Sequence, residues 1–252
     1  MPPVNTDAQL PSRLGGVEPS GAGETASQLL PQSAGSASNV SHLRITEIFY
    51  SLQGETRRVG LPTVFIRLTG CPMRCTYCDT AYAFTGGESV AIQHILEQVA
   101  VYAPRYVTVT GGEPLAQKNS ISLMRALCDA GYQVSLETGG AIDISEVDTR
   151  VMRVLDIKTP GSGELMKNRW ENLALLNPHD EVKFVLCDEA DYHWAKATIE
   201  QHRLSSRCPI LLSPVHGILN ATQLAEWILR DRLPVRLQVQ LHKILWNNAV
   251  GH

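Results

Sequence analysis

From about residue 43 onward, short apolar runs alternate with stretches in which apolar residues recur at helical spacing. Strands are predicted where β-branched and apolar residues dominate, at RITEIFYSL, TVFIRLTG, RYVTVTGGEP, QVSLETGG, RVLDIKTPG, EVKFVL and PILLSP. Helices are predicted at residues 90–102, 121–130 and 192–202 and at TQLAEWILR. PVRLQVQLHK is predicted as a last strand that runs into a terminal segment.

This order of elements predicts an α/β fold. About six core strands, several of them linked by helices, indicate parallel βα units. Six strands are fewer than the eight of a complete barrel, so we expect a partial, open βα barrel. In such folds the chemistry lies at the carboxyl ends of the strands, where GCPMRC, TGGEP, ETGG, DIKTPG and SPVHG stand in this chain.

The first forty residues differ in composition from the rest. They contain five Pro, five Gly, six Ser and no aromatic residue. Such a segment buries too little apolar area to offset the entropy of ordering it. We therefore expect residues 1–40 to be a disordered N-terminal extension and residues 41–252 to form the catalytic domain.

Charge and hydropathy exclude several classes of protein. The 252 residues carry a net charge of -3, which argues against binding to nucleic acid through phosphate contacts. No apolar run approaches the roughly 20 residues of a bilayer span, and the N-terminus lacks the pattern of a secretory signal. We therefore expect a cytoplasmic protein without membrane contact. In a reducing compartment, clustered thiols favour metal binding or catalysis over disulfides.

Three cysteines follow the second predicted strand, in the segment CPMRCTYCDT. Cys71, Cys75 and Cys78 are spaced so that each can reach a different iron of an iron–sulfur cluster, with the fourth iron left for another ligand. The alternative is a zinc site completed by a distant side chain such as His42 or His94. Zinc sites usually show two separated ligand pairs, and no second pair is present.

The spacing CxxxCxxC, with Tyr77 before the last cysteine, resembles that of the radical S-adenosylmethionine (SAM) enzymes. TGGEP resembles the glycine-rich segment of that family, whose backbone meets the methionine amino group. The resemblance implies a [4Fe–4S] cluster held by three cysteines, whose open iron binds SAM. Reduction of the cluster then cleaves SAM to a 5′-deoxyadenosyl radical.

A narrower resemblance, over residues 43–246, is to the 7-carboxy-7-deazaguanine synthases. It is carried by SLQGE, FIRLTGC, CDT and QLHK. It implies a lyase that converts 6-carboxy-5,6,7,8-tetrahydropterin to 7-carboxy-7-deazaguanine with loss of ammonia, a step towards 7-deazapurines such as queuosine. It also implies a flavodoxin- or ferredoxin-type electron donor and a homodimer.

The same resemblance implies residue roles. Arg67 would bind the substrate carboxylate in bidentate fashion, and we count it with the three cysteines as catalytic. Thr80 would ligate Mg²⁺. The other substrate-binding residues would be Leu52, Gln53, Gly54, Glu55, Thr110 and His242. The residues that contact SAM would be Tyr77, Cys78, Asp79, Gly112, Glu113, Asp156, Ile157, Lys158, Ser213, Pro214, Val215 and His216.

Each of these roles has a plainer alternative. Arg67 could form a surface ion pair, although it stands within the apolar run VFIRLTG. Thr80 could be a helix N-cap. Cys128, Cys187 and Cys208 are scattered along the chain, and we expect them to be small core residues.

Two other functions remain open from the sequence. An activase that installs a glycyl radical on a partner protein shares the cysteine spacing, but it gives no reason for SLQGE, Arg67 and QLHK. A non-enzymatic zinc-binding module would use the cysteines without a cluster. Iron and sulfide analysis of the anaerobically purified protein tests the zinc module, which would contain neither.

Overall fold

The computed structural model describes residues 41–247, 249 and 251. The segment that we predict to be disordered, residues 1–40, lies outside the described residues. Within the described part, none of the helices is long and apolar enough to cross a membrane.

One sheet runs through the described part of the chain. Its nine strands lie in the order β3-β1-β2-β4-β5-β6-β7-β8-β9. The strands are β1 (His42–Leu52), β2 (Pro62–Leu68), β3 (Glu88–Ala91), β4 (Tyr106–Gly111), β5 (Gln133–Thr138), β6 (Met152–Ile157), β7 (Glu181–Leu186), β8 (Ile210–Pro214) and β9 (Arg236–Leu237). The α-helices are α1 (Ile92–Val101), α2 (Asn119–Asp129), α3 (Glu189–Gln201), α4 (Ala221–Asp231) and α5 (Leu241–Trp246).

The six strands β2 and β4 to β8 are parallel neighbours. They confirm the predicted partial βα barrel of about six parallel strands. β1 and β3 add an antiparallel edge beside β2, and β9 adds a short parallel edge beside β8. Because the strands are parallel, their carboxyl ends share one rim, and the loops that follow them can build one site.

Alternation along the strands divides the side chains between two environments. In β7, Val182, Phe184 and Leu186 are fully buried and pack against α3 and α4 in one apolar cluster. Lys183 and Val185, on the opposite face, line a cavity inside the barrel. A lysine in the middle of an apolar strand therefore marks the interior of the barrel.

The observed helices begin at other residues than the predicted ones. The predicted helix at residues 90–102 begins at Ile92, because residues 88–91 pair with β1 as β3. The helix predicted at residues 192–202 begins at Glu189, where the Asp188 side chain accepts from the backbone N–H of Asp191 at 2.9 Å. Helical spacing alone detected neither the edge strand nor the cap.

The prediction of a long last strand in PVRLQVQLHK is wrong. Residues 236–237 alone are strand, and α5 begins at Leu241. The alternating apolar positions fit a strand, but this segment lies at the exposed edge of the sheet. The chain then turns inward, because the N–H of Leu241 donates to the carbonyl of Gly54 at 3.0 Å. QLHK therefore contains the N-cap and the first residues of α5, which packs over the open end of the barrel.

Candidate active site

A cavity of about 620 Å³ opens at the carboxyl ends of the parallel strands. The cysteine loop, the ends of β2 and β4 to β7, the segment after β1 and the start of α5 all contribute to its wall. The predicted site residues that line it are Leu52, Gln53, Gly54, Glu55, Arg67, Cys71, Cys75, Tyr77, Cys78, Asp79, Thr80, Thr110, Gly112, Asp156, Lys158, Val215, His216 and His242.

The cysteine loop is fixed at its centre. The Thr76 hydroxyl donates to the carbonyl of Gly161 at 2.8 Å, and the Thr76 N–H donates to the carbonyl of Ser162 at 3.0 Å. Met73 is buried beneath the loop, where a Cβ on Gly139 would lie 2.2 Å from its terminal methyl group. The loop is thus held by packing as well as by hydrogen bonds.

The cysteine thiols are suited to binding a group whose metal ions are positively charged, because such ions stabilise the thiolate form. Burial raises the pKa of Cys71 and of Cys75, and nearby Lys158 opposes part of this rise. Thiols of this kind lose their protons on binding a metal. Among the described residues, no three His, Cys, Asp or Glu side chains are grouped closely enough to hold a single metal ion. Cys71, Cys75 and Cys78 all line the cavity, and three thiolates can each hold one iron of a cluster.

The two glycines of TGGEP allow β4 to meet the cysteine loop at close range. Gly111 has φ +145°, and a Cβ there would lie 2.2 Å from the carbonyl oxygen of Leu68. A Cβ on Gly112 would lie 2.3 Å from the carbonyl oxygen of Gly70 and 2.7 Å from the Cβ of Cys71. Any side chain at either position would push the loop away from the strand.

Glu113, the acidic residue of the same motif, does not line the cavity. It is fully buried, and its carboxylate accepts from the Thr138 hydroxyl at 2.9 Å and from the N–H groups of Gly139 and Leu115 at 2.8 and 3.1 Å. Burial raises its pKa, against these hydrogen bonds. Glu113 therefore joins the ends of β4 and β5.

Ile157, Ser213 and Pro214 also lie behind the cavity wall. All three are buried at strand ends, next to residues that do line it.

One half of the cavity is built from the segment after β1. The side-chain NH₂ of Gln53 lies 3.2 Å from the Thr108 hydroxyl and 3.4 Å from Glu137 Oε1. His242 packs so closely on this segment that a Cβ on Gly54 would lie 2.1 Å from its Nδ1. Burial lowers the pKa of His242, although Glu55 and Asp79 oppose it.

Two charged residues of this half were not predicted from the sequence. Glu137, at the end of β5, accepts from the Thr110 hydroxyl at 2.9 Å. Burial and the neighbouring Glu55 raise its pKa. Lys183 Nζ lies 2.7 Å from Glu55 Oε2. The available signal was positional, since each is a charged residue that stands between buried residues in a strand.

Charged groups also line the half next to the cysteine loop. Lys158 Nζ lies 3.2 Å from Asp156 Oδ2, while the other oxygen, Oδ1, is buried and has no hydrogen-bond partner among the described residues. An unpaired buried acceptor at a cavity wall marks a place for a ligand donor. Lys243 Nζ lies 2.8 Å from Asp79 Oδ2 and lowers the pKa of Asp79 against the effect of burial.

Arg67 lies between the two halves. Its Nε donates to Glu47 Oε1 at 2.6 Å, and the Tyr82 hydroxyl donates to the same oxygen at 2.8 Å. The Arg67 and Glu47 side chains are 13% and 18% exposed, so this is not the surface ion pair considered above. Among the described residues, the terminal amino groups of Arg67 have no hydrogen-bond partner. They are therefore available at the cavity wall.

Thr80 stands at the N-cap position of a short 3₁₀ helix, Ala81–Phe84, but its side chain makes no cap hydrogen bond. Its hydroxyl lies 3.8 Å from Cys78 Sγ, and the residue lines the cavity. The plainer explanation of Thr80 as a helix cap therefore lacks its hydrogen bond.

The fold and the three-cysteine loop define a radical SAM enzyme. The family model described as the Radical SAM superfamily matches residues 65–155, which run from β2 through the cysteine loop to β6. Membership of that superfamily implies a [4Fe–4S] cluster and SAM as cofactors.

Whole-chain comparisons narrow the class. A 7-carboxy-7-deazaguanine synthase of Chlorobaculum tepidum is 49% identical over 208 residues, which cover 81% of this chain and 94% of the relative. One of Methanospirillum hungatei is 36% identical and covers 96% of this chain and 98% of the relative. The crystal structure of QueE from Escherichia coli has the same fold, with a TM-score of 0.66 at 22% identity over 80% of this chain and 95% of that one. The chain belongs to the 7-carboxy-7-deazaguanine synthase family.

Proposed function

We propose that this chain converts 6-carboxy-5,6,7,8-tetrahydropterin to 7-carboxy-7-deazaguanine and ammonia. The observation that carries the proposal is the shared cavity. The three thiols, Arg67 and the Gln53–Glu55 segment all line it. Family membership supports this reaction over a glycyl radical activase or a zinc module. When bound, the cluster and SAM supply a carbon-centred radical that removes a hydrogen atom from a C–H bond.

Arg67 is proposed to hold the substrate carboxylate. Glu47 and Tyr82 fix the guanidinium from one side, through Nε. The terminal nitrogens then present the two parallel donors that a carboxylate accepts. Because the carboxylate is attached to C6, this contact would hold the C6–H bond in the cavity that Arg67 shares with the cysteine loop.

The pterin edge is proposed to bind in the half lined by Gln53 and Glu55. The amide of Gln53 offers a donor and an acceptor, and Glu55 accepts from the 2-amino group. Leu52 and Gly54 contribute backbone groups, and Thr110 and Glu137 lie on the facing strands. His242 closes this half from α5. A heterocycle with alternating donors and acceptors matches such a wall.

SAM is proposed to occupy the half next to the cysteines. Tyr77, Cys78 and Asp79 would offer backbone groups to the adenine, and Gly112 would meet the methionine moiety. The free Oδ1 of Asp156 is a buried acceptor for a donor of SAM. The remaining residues proposed for this half are Lys158, Val215 and His216, with Glu113, Ile157, Ser213 and Pro214 shaping the wall from behind.

We also propose a Mg²⁺ ion at Thr80. Magnesium keeps most of its waters and takes few protein ligands, so one hydroxyl and the substrate can suffice. The hydroxyl lies at the cavity wall and is not used as a helix cap. Thr80 would be the protein ligand that holds the ion.

Reduction of the cluster requires an electron donor, which we propose to be of the flavodoxin or ferredoxin type. We further propose that the chain forms a homodimer in the cytoplasm and that residues 1–40 are not needed for turnover. A chain starting at residue 41 is then expected to fold and turn over like the full chain.

The test is turnover by the anaerobically reconstituted enzyme with SAM, reductant, Mg²⁺ and the carboxytetrahydropterin. We expect 7-carboxy-7-deazaguanine and ammonia in equal amounts, measured by mass spectrometry and an ammonia assay. Production of 5′-deoxyadenosine without either product would contradict the proposed substrate.

A further inference from the structure

Lys183 projects from the middle of β7 into the cavity, where its side chain is 14% exposed. Its Nζ lies 2.7 Å from Glu55 Oε2 and 3.6 Å from Asp156 Oδ2. Asp156 has a closer cation in Lys158, at 3.2 Å. These distances pair Lys183 with Glu55, in the substrate half of the cavity.

Several charged groups surround this pair. Glu137 faces it from β5, Asp156 from β6 and His242 from α5. Asp79 of the cysteine loop and Lys158 after β6 also act on Lys183, and Arg67 on β2 acts on Glu137. Gln240 donates to the other oxygen of Glu55 at 3.1 Å. Glu55 is thus held at both oxygens, and Lys183 is its nearest cation among the described residues.

We propose that Lys183 is a positioning residue that holds Glu55 in the cavity as an ionised acceptor for the pterin amino edge. The inference rests on the proposed function. Lys183 lies 128 residues from Glu55 along the chain, and it would keep Glu55 ready to contact the substrate.

The physical reason is the cost of burying a carboxylate. Burial alone favours the protonated form of Glu55, but Lys183 outweighs it, with help from Gln240 and His242, and the pKa of Glu55 is lowered. A protonated Glu55 loses the charge that strengthens its hydrogen bonds from the substrate. Removing the ammonium takes away the main contribution that lowers the pKa of Glu55, while burial and the nearby Glu137 remain. The pKa of Glu55 is therefore expected to rise.

The sign of the effect follows. In the wild type, Glu55 stays ionised down to pH values below its ordinary titration range. In Lys183→Met, Glu55 becomes protonated as the pH falls through its raised pKa, and substrate affinity falls with it. A structural ion pair with no such task would change affinity equally at every pH. Glu55 raises and Lys183 lowers the pKa of His242, so the same profiles are recorded in a His242→Ala background, where the acid limb of Lys183→Met should persist.

The experiment measures the affinity of the cluster-loaded protein for 6-carboxypterin, which lacks the C6 hydrogen and cannot react. Fluorescence titrations run from about pH 5.5 to 7.5, across the range in which a raised carboxyl pKa would titrate. Lys183→Met is expected to bind about tenfold more weakly at the acid end, and the deficit should shrink as the pH rises. SAM affinity, measured in parallel, should change little because Asp156 keeps Lys158.

Two controls sharpen the test. Lys196→Met removes a lysine that pairs with Asp231 at 2.8 Å outside the cavity and should bind like the wild type. Glu55→Gln and the double variant Glu55→Gln/Lys183→Met should bind alike and lack the added acid limb, since no carboxylate remains for Lys183 to hold. Where Lys183→Met alone does not fold, equal binding by these two variants supports the inference, and weaker binding by the double variant overturns it.

The outcomes are distinct. An acid limb that appears in Lys183→Met and is absent from the double variant supports the inference. A uniform deficit at all pH values, an unchanged profile, or a double variant weaker than Glu55→Gln overturns it. Failure of the wild type to bind 6-carboxypterin would instead refute the proposed substrate, and the inference would fall with it.

Discussion

Glu47 and Arg67 face each other across the antiparallel pair β1 and β2, and Glu47 Oε1 accepts from Arg67 Nε at 2.6 Å. The Arg67 guanidinium also lies over the rings of Phe49 and Tyr82, at 5.7 and 5.8 Å from their centres. An arginine that is fixed by a carboxylate and two rings loses little further freedom when it binds a ligand. Its remaining donors are thus oriented before the substrate arrives.

Replacing Arg67 by Ala should therefore reduce kcat/KM for the carboxytetrahydropterin by a factor of tens to thousands. This corresponds to about 2–5 kcal/mol for losing one partner of a buried charged pair. Arg67→Lys should recover little, because a point charge cannot reproduce the two parallel donors. Steady-state kinetics and the yield of 5′-deoxyadenosine check the result.

Slow release of 5′-deoxyadenosine should persist in Arg67→Ala, because the cysteine loop is untouched. Arg150→Ala is the matched control, since Arg150 pairs with Asp129 and Asp148 on an exposed surface. Product formation by Arg67→Ala at the wild-type rate would refute the carboxylate assignment.

The six cysteines divide into two groups that iron analysis can separate. Replacing Cys71, Cys75 or Cys78 by Ala should abolish full cluster assembly and turnover, because each removes one of three cavity-facing thiols. Replacing Cys128, Cys187 or Cys208 should leave iron and sulfide content unchanged, since none of them lines the cavity. Loss of the cluster in any of the latter three would contradict the ligand assignment.

The sequence predicts the cysteine side of the site well because those residues are neighbours in the chain. Cys71 to Thr80 form one loop, and TGGEP lies one βα unit later. Backbone geometry explains both features. The cysteine loop is a turn that follows a strand, and TGGEP approaches this loop so closely that only glycine fits. Local spacing is sufficient information for features of this kind.

The contacts between charged and polar side chains inside the cavity could not be predicted in the same way. Glu55 meets Lys183 across 128 residues and Gln240 across 185 residues, so each contact depends on closure of the barrel. The error at the C-terminus has the same cause. Alternation in PVRLQVQLHK predicts a strand, whereas contact with Gly54 turns the chain into α5.

Gly54 provides a test of how closely α5 must approach. A Cβ at this position would lie 2.1 Å from His242 Nδ1, so Gly54→Ala should displace the imidazole from the cavity. We expect the KM for the substrate to rise about tenfold, while Tm changes little, because a single side chain can move aside. Thermal melts and steady-state kinetics measure the two effects separately.

The double variant Gly54→Ala/His242→Ala supplies the control. It removes the clash, so any loss of Tm in Gly54→Ala should be restored, but substrate binding should stay weak because the imidazole is absent. If His242→Ala alone binds substrate like the wild type, the close packing serves stability and not recognition.

Thr80 separates a metal ligand from a helix cap. Thr80→Val keeps the shape of the side chain and removes the hydroxyl, whereas Thr80→Ser keeps the hydroxyl. Because the hydroxyl makes no cap hydrogen bond, Thr80→Val should not show the loss of about 0.5–2 kcal/mol that follows removal of an N-cap.

As a Mg²⁺ ligand, however, the hydroxyl should matter for turnover. Thr80→Val should need several-fold more Mg²⁺ for half-maximal activity, and Thr80→Ser should behave like the wild type. Urea unfolding and activity titrations with Mg²⁺ measure the two quantities on the same protein. A drop in unfolding free energy with an unchanged Mg²⁺ requirement would assign Thr80 to the helix and leave the ion without its protein ligand.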